Sequence, residues 1–215
     1  MAKAARRQAL GRARGATLIE LMIGVGVLAV VAMLAAPAVS DWIRNARVRS
    51  LAETLRADLQ MARAEAIRRN VGTRLQFVST QTSDCALSTA SPLWVTSLYL
   101  AKTPVGACGS SLDTGTAPYL IGKSVSTTSA DLAVSASRAV IGFDSLGRMA
   151  ATTNPDTTAA QATIEFSSAS GTCLAAGGRV RCMKVIVSPS GDTRICDPTR
   201  SSTTDPTDPL VCPSS

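Results

Sequence analysis

The chain of 215 residues contains no histidine, only 3% aromatic residues, and no C-x-x-C pair among its six cysteines. The missing imidazole removes the commonest general base, the Ser-His and Cys-His nucleophile pairs, and nearly all catalytic zinc sites. Scarce aromatics exclude an extended stacking platform for single-stranded nucleic acid. No G-x-S-x-G stands beside a base, no Walker A loop occurs, and the acids Asp144, Glu165 and Asp192 lack the spacing of a paired-carboxylate site. The expectation is a protein that is not an enzyme, without cofactor, metal or small-molecule substrate.

What is present is a 46% apolar chain with a formal charge of +7. Lys3, Arg6, Arg7, Arg12 and Arg14 hold five positive charges, which leaves 17 basic against 15 acidic residues from Ala16 onward, or +2. The basicity therefore belongs to a short N-terminal run and does not describe the whole surface. An even number of cysteines without metal-ligand spacing suits disulfides in an oxidising compartment outside the cytoplasm.

From Leu21 to Val39 run nineteen residues without a charge, which as a helix span roughly 28 Å, one membrane crossing. A secretory signal is one reading, since Ala36-Pro37-Ala38 resembles an A-x-A cleavage site and would leave Val39 as the first mature residue. The run is longer than a signal's apolar region, and Glu20 at its head gains nothing there. A simple membrane anchor explains the length but also leaves Glu20 without a purpose. Thr17 and Glu20 form a T-x-x-E capping box, which justifies the acid locally. A carboxylate at a membrane edge is also costly unless it meets a cation, and a newly cut N-terminal amine of a neighbouring subunit is one.

The residues GATLIELMIGVGVLAVV, at the end of a basic leader, resemble the type IV prepilin leader: Gly15, then Ala16, Thr17, Leu18, Ile19, Glu20 and an unbroken apolar helix. The resemblance implies cleavage between Gly15 and Ala16 by a membrane-embedded prepilin peptidase, methylation of the new N-terminus at Ala16, and a filament-assembly role for Glu20.

Beyond the apolar run, helical period continues through VRSLAETLRADLQMARAEAIRRN, with apolar positions at Val48, Leu51, Leu55, Leu59, Ala62 and Ala66. One helix of about fifty residues is predicted, with a local bend at Pro37. The eight arginines from Arg44 to Arg74 read either as a solvated face with i,i+3 and i,i+4 ion pairs or, for Arg44, Arg47 and Arg49, as attraction to anionic lipid. Asn70 and Gly72 stop the helix, and β-prone runs follow at Thr73–Val78, Leu93–Leu100, Arg138–Phe143, Ala162–Phe166 and Met183–Val187. That order predicts an α+β fold, a long N-terminal helix packed against a small antiparallel β-sheet head.

The stretch from Leu55 to Asn70 is similar to the FimT/GspH branch of pilins, through L-x-x-x-L-x-x-A-R-x-E-A-I-x-R-N: Leu55, Leu59, Ala62, Arg63, Glu65, Ala66, Ile67, Arg69 and Asn70. The resemblance implies a type IV pilin fold and three segments: a cleaved leader over 1–15, a transmembrane and filament-core helix over 16–43, and a periplasmic or extracellular head over 44–215. It further implies a single-pass inner-membrane protein that joins other pilins or pseudopilins at the cell surface.

Six cysteines allow fifteen pairings, and sequence order alone selects none. Nearest-neighbour pairing joins Cys85 to Cys108, Cys173 to Cys182 and Cys196 to Cys212. The last would staple a Pro-rich tail that lacks apolar surface of its own. Between these cysteines, Arg179, Arg181, Lys184 and Arg194 place four cations within sixteen residues. In an extended strand 179 and 181 share a face. Gly178-Arg179-Val180-Arg181 resembles the G-R-x-R of DNA-binding FimT proteins and implies weak, non-specific phosphate contacts to double-stranded DNA during uptake; the bland reading is a charged hairpin edge. The functional alternatives are a pilus-initiating minor pilin, pseudopilin H of a type II secretion system, a DNA-capture subunit, and a secreted β-rich protein.

Overall fold

The computed structural model describes residues 17–99, 102–125, 131–151, 159–200 and 207–213, with the backbone but not the side chains of 34–38. The chain divides into two compact units at Ser40 and Asp41. Helix α1 (Leu18–Arg69, 52 residues) contributes residues to both, and the second also holds a short 3-10 turn at Leu174–Ala176. Among the described residues no helix is long and apolar enough to cross a membrane. The run expected to do so, Leu21–Val39, includes residues 34–38, whose side chains lie outside the described residues, and the bend expected at Pro37 falls among them.

In the second unit α1 buries one stripe, Val48, Leu51, Ala52, Leu55, Leu59, Ala62 and Ala66, at the three- and four-residue spacing that keeps side chains on one helix face. The helix ends where Asn70 turns left-handed at φ 53°. Val71 N–H then donates to Ala66 O at 3.2 Å and Asn70 N–H to Ile67 O at 3.3 Å. This is a Schellman cap with asparagine in the place glycine usually fills.

Nine strands follow among the described residues: β1 (Thr73–Val78), β2 (Leu93–Leu98), β3 (Leu120–Lys123), β4 (Leu132–Ala136), β5 (Val140–Phe143), β6 (Met149–Ala150), β7 (Ala162–Ser168), β8 (Met183–Val187) and β9 (Thr193–Cys196). The single small sheet expected from the sequence is in fact two, ordered β3-β2-β1-β5-β6 and β4-β7-β8-β9, and all their pairings are antiparallel. The five runs expected as strands are β1, β2, β5, β7 and β8, with β2 and β5 shorter than expected. The other four are short and carry Gly, Ser, Ala or charge, so their local β signal is weak.

One apolar cluster joins the helix stripe to Leu75, Phe77, Trp94, Ile141 and Phe143 of the first sheet and Ile164, Phe166, Val185 and Val187 of the second. Phe77 and Trp94 face each other across β1 and β2 with ring centroids 6.1 Å apart and edge-to-face. The back of the first sheet holds a second cluster of Val78, Cys85, Val95, Cys108 and Leu120. Two-sided cover explains why all six residues of β1 are buried despite the polar Arg74 and Gln76. Arg74 finds Ser97 Oγ at 3.2 Å, the Lys102 carbonyl and the face of Tyr99 at 5.4 Å, while Gln76 Nε2 donates to Thr103. Buried polar groups persist where such partners exist.

Three disulfides join Cys85 to Cys108, Cys173 to Cys182 and Cys196 to Cys212. Their sequence separations are 23, 9 and 16 residues, and a crosslink lowers the entropy of the unfolded loop it closes.

Asp58 on α1 accepts a hydrogen bond from Trp94 Nε1 at 2.7 Å. Burial raises its pKa above the ordinary 3.8, and the Trp94 hydrogen bond only partly opposes this. A carboxyl with a raised native pKa binds more protons folded than unfolded, so its contribution to stability falls as pH rises through the window above 3.8. Asp58→Asn removes this component, and its melting temperature is expected to gain on the wild type as pH is raised from about 3 to 7. Parallel melting curves across that range would refute the assignment. Glu65 acts oppositely. Arg68 and then Arg69 hold it down to about 2, so its contribution is present above pH 4.5 and lost as pH falls toward 2.

Candidate functional site

Cleavage and methylation residues Gly15 and Ala16 lie outside the described residues. The helix start beside them is described: Thr17 Oγ1 accepts the Glu20 N–H at 3.3 Å. That is one half of a capping box, and the Glu20 carboxylate has no partner among the described residues. Every described side chain from Thr17 to Met33 is exposed. Leu18 is 79% and Met33 77% exposed, with Leu21, Ile23, Val27, Leu28 and Val31 between them. An apolar helix bare on all sides needs cover from lipid or from other helices.

The four expected cations separate. A loop closed by the Cys173–Cys182 disulfide carries Arg179 and Arg181 on either side of the buried Val180. Val180 N–H donates to Thr172 O at 3.1 Å, and Val180 O accepts the Leu174 N–H at 2.7 Å. Gly178 makes the turn possible, because a Cβ there would stand 2.0 Å from Thr172 O. The Arg179 side chain is 81% exposed and reaches to 3.8 Å of Asp41. Arg181 donates its backbone N–H to Asn45 Oδ1 at 2.8 Å, and its guanidinium has no ion-pair partner among the described residues. Lys184 instead pairs with Glu165 at 3.4 Å, directly across β7 and β8. Arg194 lies exposed on edge strand β9, opposite Ile186. Arg179 and Arg181 thus stand at the first helical turns of the head, and Lys184 and Arg194 stand elsewhere.

Asp192 has a partner that sequence reasoning missed. Arg63 Nη1 donates to Asp192 Oδ1 at 2.9 Å and Nη2 to the Ser190 carbonyl at 3.4 Å, tying the β8–β9 turn to α1. Ser190 and then Arg63 lower the Asp192 pKa. Gly191 at φ 84° lets this turn lie against Gly147, where a Cβ would meet the carbonyl at 2.0 Å. The three acids considered for catalysis are each in a separate ion pair: Asp144 with Arg148, Glu165 with Lys184, and Asp192 with Arg63. Glu165 also lies 3.9 Å from Cys173 Sγ, but that sulfur and its neighbour on Cys182 are joined and offer no thiolate to a metal.

No curated protein matches the chain. Two crystal structures of the type IV minor pilin FimU of Pseudomonas aeruginosa strain PAO1 are similar to it. The first has 17% identity, a TM-score of 0.45, and coverage of 73% of this chain and 90% of that one. The second has 16% identity, a TM-score of 0.44, and coverage of 72% and 94%. Residues 51–191 match the family model described as Type II transport protein GspH. They begin on the buried stripe of α1 and end in the Arg63-bound turn, and the chain belongs to the GspH family of minor pilins and pseudopilins.

Proposed function

We propose that the chain is a minor pilin that helps to initiate or cap a type IV pilus-like filament. In this reading prepilin peptidase cuts after Gly15 and Ala16 is methylated. The apolar helix first holds the protein in the inner membrane with its head in the periplasm, and then packs among the helices of other pilins. The observation that carries the proposal is the bare helix from Leu18 to Met33, since apolar surface left to water costs roughly 25 cal/mol per Å². Lipid before assembly and neighbouring helices after it supply the missing cover. The reaction class is assembly, and a GspH-family subunit needs no catalytic group for it.

Intact-mass analysis of the mature chain is the direct test. A chain beginning at methylated Ala16 is expected; one beginning at Val39 would make it an ordinary secreted protein. Pseudopilin H of a type II secretion system is the second reading, favoured by the family that residues 51–191 match. Deleting the gene separates the two: loss of pili with normal release of hydrolases fits the minor pilin, and the converse fits the pseudopilin. Non-specific contact with double-stranded DNA is a subsidiary role, supported by the Arg181 guanidinium, which has no ion-pair partner among the described residues, and scored in the same strain as uptake of labelled DNA.

A further inference from the structure

The position of the Cys173–Cys182 loop is unexpected for a surface that gathers DNA. Asp41 is the second residue after the apolar run ending at Val39, and Arg179 is 3.8 Å from it. The loop cannot swing elsewhere, because the disulfide closes it, Val180 is buried and the Arg181 N–H is held by Asn45. Two arginines more than 130 residues distant in sequence thereby join Trp42, Arg44 and Arg47 on the first turns of the head. Trp42, the third residue after Val39 in the sequence, is an amphipathic ring 71% exposed. Arg44 is engaged by Asp41 and Asp131, whereas Arg47 and Arg181 have no ion-pair partner among the described residues.

We propose that Arg179 and Arg181, with Trp42 and Arg47, form a collar that binds the phosphates of anionic phospholipid headgroups while the subunit waits in the membrane. The inference rests on the reading that the apolar run lies in a bilayer. Given that reading, a tryptophan just past the run sits at headgroup level, and arginines beside it meet lipid phosphate first. The collar steadies the head over the membrane, and its contacts are surrendered when the subunit is drawn into a filament.

The chain has two tryptophans, of which Trp94 is fully buried, so a short-range quencher in lipid reports on Trp42. The full-length protein is reconstituted in phosphatidylcholine vesicles doped with brominated phosphatidylcholine or with brominated phosphatidylglycerol. The expected result is roughly fivefold enrichment of the anionic quencher at Trp42, the weight of one arginine at an anionic surface. The pair Arg179→Glu and Arg181→Glu should erase it. Asp41→Asn, which frees Arg179, should increase it and tests the same idea if the charge reversals fail to fold. Equal quenching by both lipids would overturn the collar while leaving membrane insertion standing. No quenching by either would overturn the insertion reading and the collar with it. A preference that persists in the charge-reversed pair would overturn the assignment to Arg179 and Arg181. Equal lipid quenching combined with Arg179- and Arg181-dependent binding of a duplex oligonucleotide would overturn the collar in favour of nucleic acid.

Discussion

Leu59→Ala is expected to destabilise the head by about 3 kcal/mol or more and to lower its melting temperature by roughly 6 °C or more. Leu59 is fully buried in the cluster that contains α1 and residues of both sheets. The lost methyl groups therefore leave a cavity that neither sheet closes without disturbing the other. Leu28→Ala is the control. It is 69% exposed on the bare part of the helix, and a surface truncation stays within about 0.5 kcal/mol. Circular dichroism melts of the two variants should separate clearly, and a Leu59→Ala melt that overlays the wild type would refute the packing of the helix stripe in that shared core.

Glu20→Ala is expected to leave peptidase cleavage and membrane retention intact and to reduce entry into filaments at least tenfold. The carboxylate has no partner among the described residues, although Thr17 already caps the adjacent backbone. Local structure accounts for the threonine and leaves the acid's charge unspent. In the proposed filament the methylated amine of a neighbour would supply the opposite charge in a dry helical bundle, and removing one member of such a buried pair costs about 3–5 kcal/mol. That energy corresponds to a factor of a hundred or more in an equilibrium, so tenfold is a conservative threshold. Glu20→Gln separates charge from hydrogen bonding, since it keeps the shape and loses the ion. Normal incorporation of either variant into sheared filaments would remove the ion pair from the assembly mechanism.

Much of the helix was legible because its determinants are local. The stripe Val48, Leu51, Leu55, Leu59, Ala62 and Ala66 was readable as period, and each of these residues is buried. The helix stop was readable at Asn70, which takes the left-handed conformation asparagine tolerates. Strands β1, β7 and β8 each hold three β-branched or aromatic residues, in TRLQFV, ATIEFSS and MKVIV. Strands β3, β4, β6 and β9 were invisible because LIGK, LAVSA, MA and TRIC become strands only when a partner presents a ladder. The division into two sheets was hidden for the same reason, since pairing partners far apart in sequence decide it. A buried Arg74 contradicts every pattern rule, and its burial depends on the Lys102 carbonyl, Ser97 and Tyr99 arriving from other segments.

The candidate site divides along the same line. Gly15, Ala16 and Glu20 belong to a short linear pattern, so the sequence by itself determined them as candidates for the proposed peptidase cut and subunit contact. It likewise determined the apolar run, the amphipathic stripe and the α+β class, all of which follow from the order of residues along a few helical turns or one strand. Only the tertiary structure decided what the later cations do. It paired Lys184 with Glu165 and Arg63 with Asp192, left Arg194 on an edge strand, and set Arg179 and Arg181 beside Asp41 and Asn45. A charge carries no period and reaches any partner that the fold brings within a few ångströms, so its role is fixed by packing that no local pattern records.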